Sequence, residues 1–184
     1  MPIFHAIILG IAQGLTEFVP VSSSGHLELI PWLFQWNHFD GDSRIENTFD
    51  VALHLGTLSA LLTVLRKEAL LYSRAGLRAL LGRQRWNSDA KIGWLLLLSA
   101  APAAVAAILF ESFLLKQSSR IAVIAIGLGA FGLLLWVVDT RAKAVPSRLD
   151  FSGPDALKIG VGQALALLPG VSRSGITITV ARML

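Results

Sequence analysis

The 184-residue chain has no cysteine, and only 15% of its residues are charged. The first absence excludes disulfides and thiolate metal sites. The second sets the chain apart from ordinary soluble domains, where about 25% of residues are charged. No basic run precedes the first apolar stretch, "MPIFHAIILG", so it does not read as a cleaved signal peptide. What is present is apolar: 54% of residues are hydrophobic and the mean hydropathy is +0.64. This composition indicates an integral membrane protein. The net charge of +4 then reads as basic loops on one membrane face, and no nucleic-acid partner is expected.

A hydrocarbon core about 30 Å thick needs runs of ~20 apolar residues. Residues 92–110 and 121–138 contain no charge, and 51–65 contain only His54. Residues 3–21 are apolar apart from His5, Gln13, Thr16 and Glu17, and 157–181 apart from Lys158, Gln163, Arg173 and several hydroxyls. Seven basic residues lie in 66–91 and four in 140–158, against two in 111–120 and only Arg44 in 35–48. Lysine and arginine favour cytoplasmic loops, so 66–91 and 140–158 are assigned inside, and 35–48 and 111–120 outside. "LLYSRAGLRALLGR" within the first inner segment places Leu70, Leu77, Leu80 and Leu81 near one face, as in an amphipathic helix lying on the membrane surface.

The ends of the chain repeat each other. A shift of 150 residues superposes Gly10, Gln13, Leu15, Val21, Ser22, Ser24 and Gly25 on Gly160, Gln163, Leu165, Val171, Ser172, Ser174 and Gly175. Each copy has a proline shortly before its serines, Pro20 and Pro169, where a helix would break. Three spans separate the copies. If each copy is a re-entrant hairpin, the second enters from the opposite face, and broken helices of such inverted repeats often meet at a site near the bilayer midplane. The expected fold is therefore all-α and integral to the membrane. Transmembrane helices join re-entrant broken-helix hairpins in an inverted-topology repeat whose second copy is incomplete. A single membrane domain, 1–184, would hold repeat one at about 1–138 and the start of repeat two at about 150–184.

A carboxylate or guanidinium inside a membrane costs about 2.5–3.5 kcal/mol on insertion scales. Glu17 and Arg173 must therefore be paired, hydrated or functional, and a structural Glu17–Arg173 pair is one reading. "PVSSSGH" and "PGVSRSG" resemble helix N-termini, where free N–H groups and the helix dipole favour anions. Serines that only cap and pack are the alternative. Arg173, between Ser172 and Ser174, adds a planar donor suited to phosphate. In a helix starting near Ser22, Ser23 and His26 share a face at i, i+3, and a serine beside a histidine base is a familiar activated nucleophile. Glu17 could orient His26 or bind a divalent cation, and Gln13, one turn earlier, shares its face. His5, His38 and His54 are read as structural, with His54 a further candidate to line the cavity.

Together, "QGLTEF", "PVSSSGH" and "PGVSRSGIT" resemble the signature motifs of the bacterial undecaprenyl-diphosphate phosphatase family, the bacitracin-resistance proteins. Gln13 and Glu17 match the first motif. Pro169, Gly170, Ser172, Arg173, Ser174 and Thr177 match the second, and "FDVALHLGTLSALL" is similar to the family's apolar segment after the first outer loop. The resemblance implies removal of the terminal phosphate of a polyprenyl diphosphate, with Mg2+ or Ca2+, at an outward-facing site in the bacterial plasma membrane. It implies Ser23 as nucleophile, His26 as base or acid, Glu17 as base partner or metal ligand and Arg173 as phosphate clamp. Ser22, Ser24, Ser172, Ser174, Thr177 and Gly170 would line the phosphate site, and Gln13 would assist Glu17 at the metal. The expected partners are the lipid substrate, membrane lipids and a second copy of the chain. Two departures stand out. Gln13 occupies a position where many members have glutamate, and family members continue past the second motif, so the chain reads as a fragment. A lipid transporter or flippase would suit the repeat equally well but needs no Ser–His pair. A phosphatase superfamily with a Pro-Ser-Gly-His motif is disfavoured, because its other motifs are missing.

Overall fold

The computed structural model describes residues 1–36, 42–117, 120–142 and 151–184. All regular structure among them is helical: α1 (Ile3–Phe18), α2 (Ser23–Leu33), α3 (Ser43–Val64), α4 (Arg66–Leu80), α5 (Ser88–Gln117), α6 (Ile121–Arg141), α7 (Gly153–Leu165) and α8 (Arg173–Met183). His38, assigned to the outer loop from the sequence, lies outside the described residues.

α5 over Ser88–Phe110 and α6 are long and apolar enough to cross a membrane, with mean hydropathies of 2.2 and 2.6. α3 and α4 meet at an 81° bend, and the pair passes the same test as one broken span. The surfaces agree: Ile108, Leu109, Ile126 and Trp136 are all exposed, as side chains facing lipid tails would be. Two loop boundaries differ from the sequence reading. α3 begins at Ser43 and α5 runs on to Gln117, so much of both presumed outer loops is helix. Charged residues such as Glu46 are compatible with helix, and charge counting marks sidedness rather than helix ends.

The two repeated segments form two helical hairpins. α1 ends at Phe18, because Pro20 holds Val19 in extended conformation (φ −83°, ψ 134°). α2 then starts at Ser23 and α8 at Arg173, positions related by the 150-residue shift. Their N-caps, Ser22 and Ser172, accept hydrogen bonds from the backbone N–H of Gly25 and Gly175 at 3.4 and 3.1 Å. The turns differ at one point. Gly170 takes a left-handed φ of +83°, but Pro20 holds the equivalent position and its ring forbids that angle. In the first hairpin the left-handed residue is Ser22, φ 65°, a strained conformation for a residue with a Cβ.

Each hairpin returns to the side from which it starts. His5 near the start of α1 stacks on Trp36 beyond the end of α2, with ring centroids 3.7 Å apart. Val180 near the end of α8 lies against Gly162 of α7, and Arg182 donates to Asp139 near the end of α6 at 2.9 Å. A capping box starts α7, and the Ser152 hydroxyl bonded to Asp155 at 2.5 Å holds that carboxyl below its usual range.

Packing uses small residues, as expected where lipid removes the hydrophobic drive between helices. Ala156 and Gly160 of α7 lie against α5, and a Cβ on Gly160 would come 2.6 Å from the Ser99 carbonyl oxygen. Gly127 of α6 lets the Pro169 carbonyl approach, to 2.5 Å from where its Cβ would be. Gly170 packs against the Ile124 carbonyl. The second hairpin's tip is thus seated in α6 by backbone contacts.

Candidate active site

The last turn of α1, the first turn of α2 and the middle of α3 converge on one carboxylate oxygen. Gln13, one turn before Glu17 in α1, donates its amide Nε2 to Glu17 Oε2 at 3.2 Å. The chain reverses at Pro20, and Ser23 at the start of α2 donates its hydroxyl to the same oxygen at 2.5 Å. His54 of α3 places Nε2 3.8 Å from it. Glu17 Oε1 takes no hydrogen bond from the described residues. Gln13 is fully buried, and its Oε1 has no hydrogen-bond partner among the described residues, an arrangement that costs about 1–3 kcal/mol unless something else satisfies it.

Both histidines near the tips have one ring nitrogen committed. His26 Nδ1 lies 2.8 Å from the Ser22 carbonyl oxygen, and His54 Nδ1 lies 2.7 Å from that of Asp50. A carbonyl only accepts, so in each ring Nδ1 carries the proton and donates. The neutral rings therefore keep Nε2 as the basic nitrogen. His26 borders a cavity of about 320 Å3 between the two hairpin tips and α6, with Pro20, Phe131, Gly170 and Ser172 on its walls.

The two tips touch reciprocally. A Cβ on Gly25 would lie 3.5 Å from the Gly170 Cα, and one on Gly175 would lie 3.2 Å from the Pro20 carbonyl oxygen. The 150-residue shift turns the first contact into the second.

The sequence-derived residues fall into three groups. Glu17, Gln13 and Ser23 are brought together. Ser22, Ser172, Gly170 and His26 surround the tip contact, with Ser174 3.1 Å from the Ser172 hydroxyl and Ser24 3.5 Å from that of Ser22. Thr177 lies half-buried one turn into α8. Two pairings considered from the sequence do not form. The Ser23 hydroxyl bonds Glu17 rather than His26, because the His26 ring turns back onto the Ser22 carbonyl of its own helix turn. Arg173 makes no ion pair with Glu17. It is exposed at the start of α8, without a hydrogen bond or ion pair among the described residues. His54 is the residue that spacing alone undervalued, and its signal was an ionisable ring inside an otherwise uncharged apolar run.

Among the described residues no group of three or more histidine, aspartate or glutamate side chains could hold a metal ion. The oxygens on offer are those of Glu17 and the unpartnered Gln13 Oε1.

The sequence profile of the family described as "Bacitracin resistance protein BacA" matches residues 6–184. The chain belongs to that family. Three curated relatives of this BacA-family chain bear out the assignment. It is 42% identical over 187 residues to undecaprenyl-diphosphatase 2 of Stutzerimonas stutzeri, covering 100% of the chain and 67% of the relative. It is 41% identical to the undecaprenyl-diphosphatase of Pelotomaculum thermopropionicum, covering 100% and 66%. It is 40% identical to that of Aliivibrio salmonicida, covering 98% and 65%. The chain thus spans about two thirds of the length of these relatives. The family and the apolar helices together mark a membrane protein.

Proposed function

We propose that this chain carries the reactive half of an undecaprenyl-diphosphate phosphatase, which releases the terminal phosphate and leaves undecaprenyl phosphate. The observation that carries this reading is the 2.5 Å hydrogen bond from Ser23 to Glu17, in a chain whose relatives are named undecaprenyl-diphosphatase. Ser23 Oγ attacks the terminal phosphorus and its proton passes to Glu17, so the carboxylate is the base for the serine. The Oγ–P bond forms as the bridging P–O bond breaks, and undecaprenyl phosphate departs. Water then attacks the phosphoserine, His26 Nε2 accepts a proton from it, and Glu17 returns the first proton to Ser23. Arg173 and the N-termini of α2 and α8 hold the phosphate oxygens. Ser22, Ser24, Ser172, Ser174, Gly170 and Thr177 shape that cradle.

The reading includes a divalent cation, which Glu17 would hold together with the substrate phosphates. Mg2+ is commonly held by one or two carboxylates plus substrate phosphates and water, and the buried Gln13 Oε1 would gain the partner it lacks. Such a cation would neutralise the diphosphate.

The two hairpins are read as an inverted repeat. Support comes from the matched helix starts, the reciprocal tip contact and the closure of each hairpin on its own side. Loop charge favours the outer face of the bacterial plasma membrane for the α1–α2 hairpin and the inner face for α7–α8, with the site opening outward.

The test is phosphate release from undecaprenyl diphosphate in detergent, for this chain and for one extended to the length of its relatives. Ser23→Ala and Glu17→Gln are each expected to lower kcat at least 100-fold, and EDTA to abolish release until Mg2+ is restored. Full activity in Ser23→Ala would remove the serine from the chemistry. No release from a folded extended chain would leave lipid transport as the better reading.

A further inference from the structure

α4 bends away from α3 by 81° and packs on α5 through Ala75, Gly76 and Ala79, with Trp94 donating its indole N–H to the Gly76 carbonyl at 3.3 Å. Along α4, Lys67, Arg74 and Arg78 line an open groove of about 440 Å3 whose other wall is formed by Gln84, Asn87 and Asp89. Steps of seven and four residues keep these three side chains within about 40° of arc. None of them has an ion pair or hydrogen bond among the described residues. Asp89 is the one carboxylate on the groove wall. It sits in the first turn of α5, where the helix dipole already stabilises its charge. Three positive charges against one negative leave the groove with a surplus of two.

The remaining wall is apolar. Leu70 and Leu71 line the groove and are each 49% exposed, and Leu77, Leu80 and Leu81 continue the unsheltered apolar surface. A helix with free cations beside bare leucines suits the boundary between lipid headgroups and acyl chains. The loop charges put this segment on the cytoplasmic face, whose leaflet is rich in anionic lipid.

We propose that this groove is a binding site for an anionic phospholipid. Its phosphate sits among Lys67, Arg74 and Arg78, and an acyl chain lies over Leu70 and Leu71. The site is separate from Glu17 and Ser23 and does not depend on the phosphatase reading.

Native mass spectrometry of the chain released from mixed phosphatidylglycerol–phosphatidylcholine nanodiscs tests the site. The wild type should retain phosphatidylglycerol over phosphatidylcholine by about 10-fold, and K67Q/R74Q/R78Q should lose that preference. Arg83→Gln combined with Arg85→Gln removes nearby charge from outside the groove and should keep it. Arg78→Gln alone, an exposed substitution with no packing to lose, should reduce the preference about 3-fold. No preference in the wild type would overturn the proposal, as would an equal loss in the Arg83/Arg85 control. Equal stabilisation of the protein by inorganic phosphate and by phosphatidylglycerol would also overturn it, because an anion alone would then suffice.

Discussion

At the scale of single residues, one carboxylate oxygen organises the site. Glu17 Oε2 takes the Gln13 amide, the Ser23 hydroxyl and the approach of His54 together. Groups that act as a unit lose function together, so effects of their removal do not add. Ser23→Ala combined with Glu17→Gln should release phosphate no more slowly than the worse single variant, as measured by initial rates at saturating substrate. On the proposed mechanism His54 is a positioning residue, since its Nε2 lies 3.8 Å from Glu17 Oε2 and it takes no part in the bond changes. His54→Leu is expected to lower kcat about 10-fold with little change in KM, with partial recovery in His54→Gln, a polar side chain of similar reach. Equal losses in both variants would point to packing alone. The motifs marked Glu17 and Ser23 as candidate site residues. The spacing did not reveal their direct bond, because an i, i+3 relation says that Ser23 and His26 share a face but not that their polar atoms meet. The His26 ring found a closer acceptor in the Ser22 carbonyl, as histidine can near a helix start. His54 was obscure for a related reason: its partner lies on another helix, and no spacing within one segment encodes that contact.

At the scale of elements, the second hairpin is fastened by what its glycines lack. Gly170 combines a left-handed φ of +83° with a clash between any Cβ and the Ile124 carbonyl. Neither can relax without moving the backbone. Gly170→Ala should therefore cost about 2 kcal/mol or more, seen as a lower unfolding midpoint in detergent. Gly129 of the same α6 has open space where its Cβ would be, and Gly129→Ala should be neutral or raise the midpoint slightly through helix propensity. Comparable losses in both would mean that α6 tolerates no side chain on either face. The helix starts were readable, because Pro20, Pro169 and the capping serines carry their signals locally. The ends of α3 and α5 were not, because a charged residue marks water nearby and a helix can extend into water.

At the scale of the whole molecule, the loop charges predict sidedness. The basic segment 66–91 and the acidic segment 35–48 flank α3 and should lie on opposite faces. The absence of native cysteine makes this simple to measure. Arg44→Cys in intact spheroplasts should react with a membrane-impermeant maleimide, and Arg85→Cys only after permeabilisation. Labelling of both from outside would mean that α3 does not cross. Seven identities at a spacing of 150 residues do not say whether the two segments touch, so the contact between the tips was not legible in the sequence.

The reciprocal contact between the tips has one further consequence. The shift that carries Gly25 onto Gly175 carries Ser23 onto Arg173, Glu17 onto Leu167 and His26 onto Ile176. Corresponding positions of the two hairpins thus carry different chemistry: a hydroxyl, a carboxylate and an imidazole in one, a guanidinium and apolar side chains in the other. On the phosphatase reading proposed above, the first hairpin would move protons and form the bond while the second gripped the anion, a division of labour that neither hairpin paired with a copy of itself would supply.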